Sequence, residues 1–374
     1  MPHDTTNNFL LGLFLLMLVF TLALSLIIPL AARRDLLFGV TVPPNTRSTP
    51  EGRRITRIYA VGVIALSVLG VVALLAIWYF HPPAWEFLLI LVGVGAMVLL
   101  GFVPFLIAYF QAHALAERAR AQGWRPEASA PPVAELRPRR YADYIPWWWE
   151  LLPLALIGAT AAYLAYTYPD APDPFPTHFD INGNPNAFSP KTIGSYFLIV
   201  FLQIFMWALI TVLTYLIVRA KSLPGRDETG FKRIVLRFLF AIKALAIGFM
   251  GVVGAASAYA AVNATALPEW FLGVTIGYIV LVFVLIIVVT VRASARSARL
   301  QPANASTTDR MDDSHWILGS IYFNRNDPSI FVERRFGIGW TINVGSVGGV
   351  LTMVALLAVA VVLPLGIVFL ANQR

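Results

Sequence analysis

The residues best suited to chemistry lie in one polar stretch, FPTHFDINGNPNAFSPK (175–191), which places His178, Asp180 and Lys191 in a single loop. An imidazole, a carboxylate and an amine together suit three tasks: holding a cation, binding a polar ligand, or bracing the loop by hydrogen bonds. The alternation of Asp180, Asn182, Asn184 and Asn186 imitates the oxygen ligands of an EF-hand. However, Gly183 falls at the fourth position instead of the sixth, and Lys191 stands where the bidentate glutamate belongs. Zinc is no better served, because the histidines (His3, His81, His113, His178, His315) are scattered and the chain has no cysteine. No metal and no cofactor are expected. The loop is left as either a binding site or a brace, with His178, Phe179, Asp180 and Lys191 as the candidate residues.

Other reactive types are sparse. Glu150 and Lys243 fall at similar depths of two apolar runs and are candidates for an intramembrane pair, the alternative being two side chains that each reach the interface. Gln203 is the other notable polar group in an apolar run. The FGIGW stretch (336–340) lacks the G-K-[ST] of a phosphate loop, and no HExxH, GxGD or GxSxG sequence marks a protease. A non-enzymatic role is therefore expected.

The elements that position these residues follow from composition. Of 374 residues 58% are hydrophobic and only 13% charged, with a mean hydropathy of +0.72. A soluble domain carries about 25% charged residues. The pattern predicts an all-α polytopic integral membrane protein with about eight transmembrane helices: Phe9–Ala32, Tyr59–Phe80, Glu86–Gln111, Trp147–Thr167, Tyr196–Val218, Val235–Ala261, Trp270–Val291 and Val347–Leu370. MPHDTTNN holds no Lys or Arg and the apolar run after it is long, so the first span is expected to stay as an anchor. Gly248, Gly251, Gly254 and Ala255 give the sixth span a small-residue face open to close helix approach.

Charge predicts the orientation. Basic residues alternate between loops, so that 26 of the 28 Lys and Arg fall on one side, which the positive-inside rule makes the cytoplasm. Both termini and the His178 loop are then expected outside, and the net charge of +8 reports topology and contact with anionic lipid. Nucleic acid is excluded as a partner, since no basic stretch is interleaved with a stacking platform.

Four regions are expected. Residues 1–145 form a three-span part with basic cytoplasmic loops, and 146–220 a span pair carrying the His178 cap. Spans six and seven occupy 221–300, and 301–374 holds a cytoplasmic aromatic module and the last span. In the cap, Pro169, Pro172, Pro174 and Pro176 forbid helix and Asn182-Gly183 signals a turn, giving a compact hairpin-like loop. The module spaces Trp316, Tyr322, Phe323, Phe331, Phe336 and Trp340 among Arg310, Arg325, Arg334 and Arg335. Such a segment can lie along the headgroup layer or dock on the other long cytoplasmic loop, 33–59.

The motif Pro176, His178, Phe179, Gly183, Pro185, Lys191 resembles the signature of domain of unknown function 1648, which includes the SdpI-type immunity and signalling proteins of bacteria. This resemblance adds Gly183 and Pro185 to the candidate residues of the loop. The segment from Trp316 to Asn343 resembles domain of unknown function 5808, through Trp316, Gly319, Tyr322, Asn324, Asp327, Pro328, Arg335, Gly337, Gly339, Trp340 and Asn343. The resemblance implies a bacterial inner-membrane protein for immunity, sensing or envelope stress, with a peptide or lipid headgroup bound outside and a protein partner possible in the cytoplasm. A small-solute or lipid transporter is the alternative, and a membrane-embedded enzyme the third.

Overall fold

The computed structural model describes residues 5–31, 35–82, 85–125, 140–180, 182–220, 228–299, 312–336 and 339–358. In chain order come α1 (Thr5–Ala31), β1 (Leu36–Leu37), β2 (Val40–Thr41), α2 (Pro50–Phe80), α3 (Trp85–Ala121) and α4 (Leu151–Thr167). They are followed by β3 (Phe175–Phe179), β4 (Pro185–Ser189), the single turn α5 (Ile193–Tyr196), α6 (Leu198–Arg219), α7 (Glu228–Asn263) and α8 (Trp270–Arg299). Four short strands, β5 (Trp316–Ile317), β6 (Ile321–Tyr322), β7 (Phe331–Glu333) and β8 (Trp340–Ile342), precede an apolar helix at Val347–Ala358.

Among the described residues seven helices are long and apolar enough to cross a membrane, which makes this a multi-pass membrane protein. They correspond to the first seven spans read from the sequence. Of the eighth, Val347–Ala358 is helical and the remainder lies outside the described residues. The fold is mostly rather than wholly helical, because the strands pair as four antiparallel hairpins, β1-β2, β3-β4, β5-β6 and β7-β8. Each hairpin falls in a connection too short or too polar to sustain a helix.

The chain divides into two compact units. The first comprises Met1–Arg137, Ala220–Phe231 and Ile286–Met353. Within it α2 starts at a well-made cap: the Thr49 hydroxyl accepts from Gly52 N at 3.1 Å, Pro50 supplies a preset φ, and Glu51 lies in the first turn. From there α2 buries Ile55, Tyr59, Val63, Ser67, Gly70 and Leu74, a seam at helical spacing. Small residues let the neighbours approach. A Cβ on Gly93 would lie 2.4 Å from the Phe14 ring, and one on Gly70 3.3 Å from Leu18. Tyr59 donates to the Ser25 carbonyl at 2.8 Å, tying α2 to α1.

The first unit also joins two hairpins turn to turn. Phe38-Gly39 (φ 48° and 83°) and Leu318-Gly319 (φ 50° and 66°) both have two central residues in the left-handed region, the geometry of tight type I′ hairpins. A Cβ on Gly39 would sit 2.5 Å from the Gly319 carbonyl oxygen, so the contact requires glycine. Phe38 takes the same unfavourable φ without being glycine. Its ring is buried against Tyr59 and Phe336, with centroids 4.9 and 5.7 Å away, and that burial offsets the backbone cost.

The second unit comprises Pro138–Arg219, Lys232–Leu285 and Val354–Arg374. Here α4 buries Pro153, Ile157, Thr160, Leu164 and Thr167, again one helical face. The small-residue face of α7 meets it and α6: a Cβ on Gly251 would lie 2.7 Å from the Thr160 hydroxyl, and one on Gly254 2.9 Å from Ile199. Gln203 is fully buried, and its amide donates to Thr160 Oγ1 at 3.1 Å and to the Ile247 carbonyl at 2.8 Å. One polar side chain thus links three apolar helices.

Candidate functional site

The His178 loop is an irregular hairpin, with Phe175 opposite Ser189, Pro176 opposite Phe188 and His178 opposite Ala187. The turn at its tip is organised by Asp180. Its Oδ1 accepts from the backbone N of Asn182 and of Asn184, each at 2.9 Å, while Gly183 takes φ 81°. The Gly183 carbonyl then accepts from Leu267 N at 2.8 Å, so the loop between α7 and α8 holds the tip down. The Asp180 carboxylate is engaged in building the turn, and among the described residues no three His, Asp or Glu side chains converge.

Lys191 and His178, close in sequence, do different things. The Lys191 ammonium donates to the Ala171 carbonyl at 2.7 Å and the Pro169 carbonyl at 3.4 Å, and lies 5.1 Å from the Tyr168 ring centroid. Its backbone N donates to Asp173 Oδ1 at 2.9 Å. Prolines leave carbonyls in this segment without helical donors, and Lys191 supplies one. His178 is exposed, and its Nδ1 meets Asn186 Oδ1 at 2.5 Å across the hairpin. Thermal unfolding should therefore separate them. Lys191→Met is expected to lose about 1–2 kcal/mol, against less than about 0.5 kcal/mol for His178→Ala. Equal losses would make both residues braces.

Beneath the hairpin lies a cleft of about 170 Å³. Its walls come from β3 (Phe175, Pro176, Thr177), α5 and α6 (Tyr196, Ile199, Leu202) and α7 (Val253, Gly254, Ala258), and hydroxyls of Thr177, Ser195, Tyr196 and Ser257 punctuate it. Tyr196 is buried, with its hydroxyl donating to Thr167 Oγ1 at 2.9 Å. Gly254 keeps the α7 wall low. The sequence reading singled out the rim of this site and missed its interior.

Glu150 and Lys243 are brought together. The Lys243 ammonium donates to both Glu150 oxygens, at 2.6 and 2.7 Å, and to Thr211 Oγ1 at 3.1 Å. Glu150 also accepts from the Tyr141 hydroxyl at 2.7 Å and from Trp207 Nε1 at 3.0 Å. Burial, and next the bond to Glu150, push the Tyr141 phenol well above its ordinary range. Tyr141, Trp207 and Thr211 carried no sequence signal, since each is an ordinary residue for its position.

In the first unit the aromatic module folds inward. Trp316, Tyr322 and Phe331 are buried, and Phe336 packs 4.8 Å from Phe105 between ring centroids. Its polar residues staple the two hairpins together. Asn343 donates to the carbonyls of Asn324 (2.9 Å) and Asp327 (2.8 Å) and accepts from Asn324 N (3.0 Å), while Asn324 donates to the Tyr322 hydroxyl at 3.2 Å. The Tyr322 hydroxyl donates in turn to Asp327 at 3.3 Å. Gly339 takes φ 103° between β7 and β8, and its carbonyl accepts from Arg334 N at 3.0 Å. Trp340 sits half-buried, 5.7 Å from the Phe231 ring.

Arg335 does not face a lipid surface. It is buried, with Nη2 2.6 Å from Asp313 Oδ1, donating also to the Thr41 hydroxyl and lying 5.5 Å from the Trp316 ring. Asp313 meets Arg120 at 2.5 Å through its other oxygen and accepts from Thr41 Oγ1 at 2.8 Å, so the module docks on the β1-β2 hairpin and α3. Burial alone would raise the Asp313 carboxyl, but Arg335, Arg120 and Thr41 hold it below the usual carboxylate range. Arg325 and Arg334 are exposed, whereas Arg310 and Gly337 lie outside the described residues.

Two family models match. Residues 155–204, which include α4, the His178 hairpin, α5 and Gln203, match the Domain of unknown function (DUF1648). Residues 325–350, from Arg325 through the Asn343 staple, match the Family of unknown function (DUF5808). No curated protein and no solved structure gives a match. The chain is thus a multi-span membrane protein that carries a DUF1648 domain, built around the hairpin and its cleft, and a DUF5808 domain, built around the asparagine staple.

Proposed function

We propose that this is a non-enzymatic, SdpI-like protein of the bacterial inner membrane, which recognises an amphipathic peptide at its outer face through the cleft under the His178 hairpin. The cleft itself carries the reading. At about 170 Å³ it has room for one benzene-sized side chain, and its hydroxyls offer partners to the polar backbone that would enter with such an anchor. His178 stands exposed on the same strand as the cleft residue Thr177, placed to meet polar groups of the peptide. The charge asymmetry supports an outward-facing hairpin and a cytoplasmic module, whose exposed Phe323, Arg325 and Arg334 would then serve as the output surface.

The test uses Thr177→Trp, which fills the cleft from an exposed strand position. A strain lacking the protein, complemented with wild type or this variant at equal levels, is challenged with membrane-active amphipathic peptides. The variant is expected to melt as wild type does and to lose protection. Unaltered protection, together with protein-dependent solute uptake into vesicles, would favour a transporter instead.

A further inference from the structure

A second cavity, of about 460 Å³, lies in the first unit where α1 ends and α2 begins. Its lining combines Arg47, Arg53 and Arg57 with Thr56 and the apolar Pro29, Leu37, Phe38 and Ala60. Arg47 belongs to the wall: Nε and Nη2 donate to the Leu36 carbonyl at 3.0 and 2.6 Å, and Nη1 to the Pro29 carbonyl at 3.2 Å. Burial lowers its pKa to about 10, against the opposing pull of Asp35, so it remains charged at neutral pH. Arg53 and Arg57 are exposed and stand four residues apart on α2, where two like charges repel. Among the described residues no carboxylate lines the cavity, and Asp35 acts on it through Arg47.

Helix α2 offers a surface for an elongated occupant. From Arg57, the exposed residues Val61, Ile64, Val68, Val72 and Leu75 continue along the same face of α2, an unbroken apolar track leading away from the arginines. We infer that this cavity is a headgroup site for an anionic phospholipid, whose phosphate sits among Arg47, Arg53 and Arg57 while an acyl chain lies on the α2 track. Arginine forks match phosphate oxygens, and a basic pocket where spanning helices meet the headgroup layer is the setting in which anionic headgroups bind. The cavity volume falls within the range of about 300–1,000 Å³ seen for small-ligand sites. A free phosphate shares the headgroup chemistry but makes no use of the track.

The experiment follows thermal unfolding of the delipidated full-length protein in uncharged detergent, titrated with dioleoylphosphatidylglycerol, dioleoylphosphatidylcholine or inorganic phosphate. Phosphatidylglycerol is expected to raise the midpoint saturably, and the other two to leave it unchanged. Arg53→Gln with Arg57→Gln should weaken the phosphatidylglycerol response about thirtyfold. Arg54→Gln, an exposed arginine of the same turn outside the cavity, should change it less than about twofold. Thr56→Phe, which keeps all three arginines and fills the space, should also block it. Equal responses to both lipids, or equal losses from Arg54→Gln and the double variant, would overturn the site. A response to inorganic phosphate as large as that to phosphatidylglycerol would replace the lipid by a soluble phosphate.

Discussion

Lys243→Met is expected to destabilise the protein by about 3–5 kcal/mol, the largest loss from any single side chain in the second unit. The Glu150 carboxylate would keep Tyr141 and Trp207 as donors but lose the ammonium that touches both of its oxygens, inside an apolar span. Glu150→Gln in the same background removes the stranded charge and should recover much of the loss. Trp207→Phe, which deletes one hydrogen bond and leaves the pair intact, should cost about 1 kcal/mol. Unfolding in mixed micelles compares the wild type with Lys243→Met, Glu150→Gln, the double variant and Trp207→Phe. Additive losses for Lys243→Met and Glu150→Gln would mean that the two groups do not act as a pair.

Asp313→Ala should cost a comparable amount, about 3–5 kcal/mol, in the first unit. It leaves the buried Arg335 beside Arg120 with their shared carboxylate gone, and takes an acceptor from both the N–H and the hydroxyl of Thr41. Arg120→Gln removes only the partly exposed partner and should cost less. The pH dependence has a definite sign. Because the folded-state pKa is depressed, the stabilisation is complete above the unfolded value of about 3.9 and is lost as pH falls from there through the lower folded value. The wild type should thus lose stability below about pH 4 more steeply than Asp313→Ala. Parallel acid profiles for the two would show that Asp313 carries no net charge effect.

Local chemistry accounts for what was legible at the candidate site. The Asn182-Gly183 turn is set by the residues themselves, as is the proline-rich strut that Lys191 braces. The Glu150–Lys243 pairing was visible as two charges stranded at similar depth in apolar runs, since such groups must find partners or reach the interface. For the aromatic module the sequence left two surfaces open, the headgroup layer or the loop 33–59, because a basic, aromatic stretch suits either. The fold selects the second for Arg335, which Asp313 and Thr41 enclose.

By itself the sequence determined the membrane-spanning helices and their asymmetric charge, because each depends on one run of residues: the length of an apolar stretch must match the hydrocarbon thickness, and charges partition loop by loop. Tertiary structure alone decided the rest. Thr41 and Asp313 meet across 272 positions, and Gln203 reaches Thr160 across 43. Phe38-Gly39 and Leu318-Gly319 abut through bare backbone, where neither turn states what it touches. The cleft under the hairpin and the arginine cavity are spaces between elements, lined by residues whose types are unremarkable singly and whose convergence leaves no period in the chain.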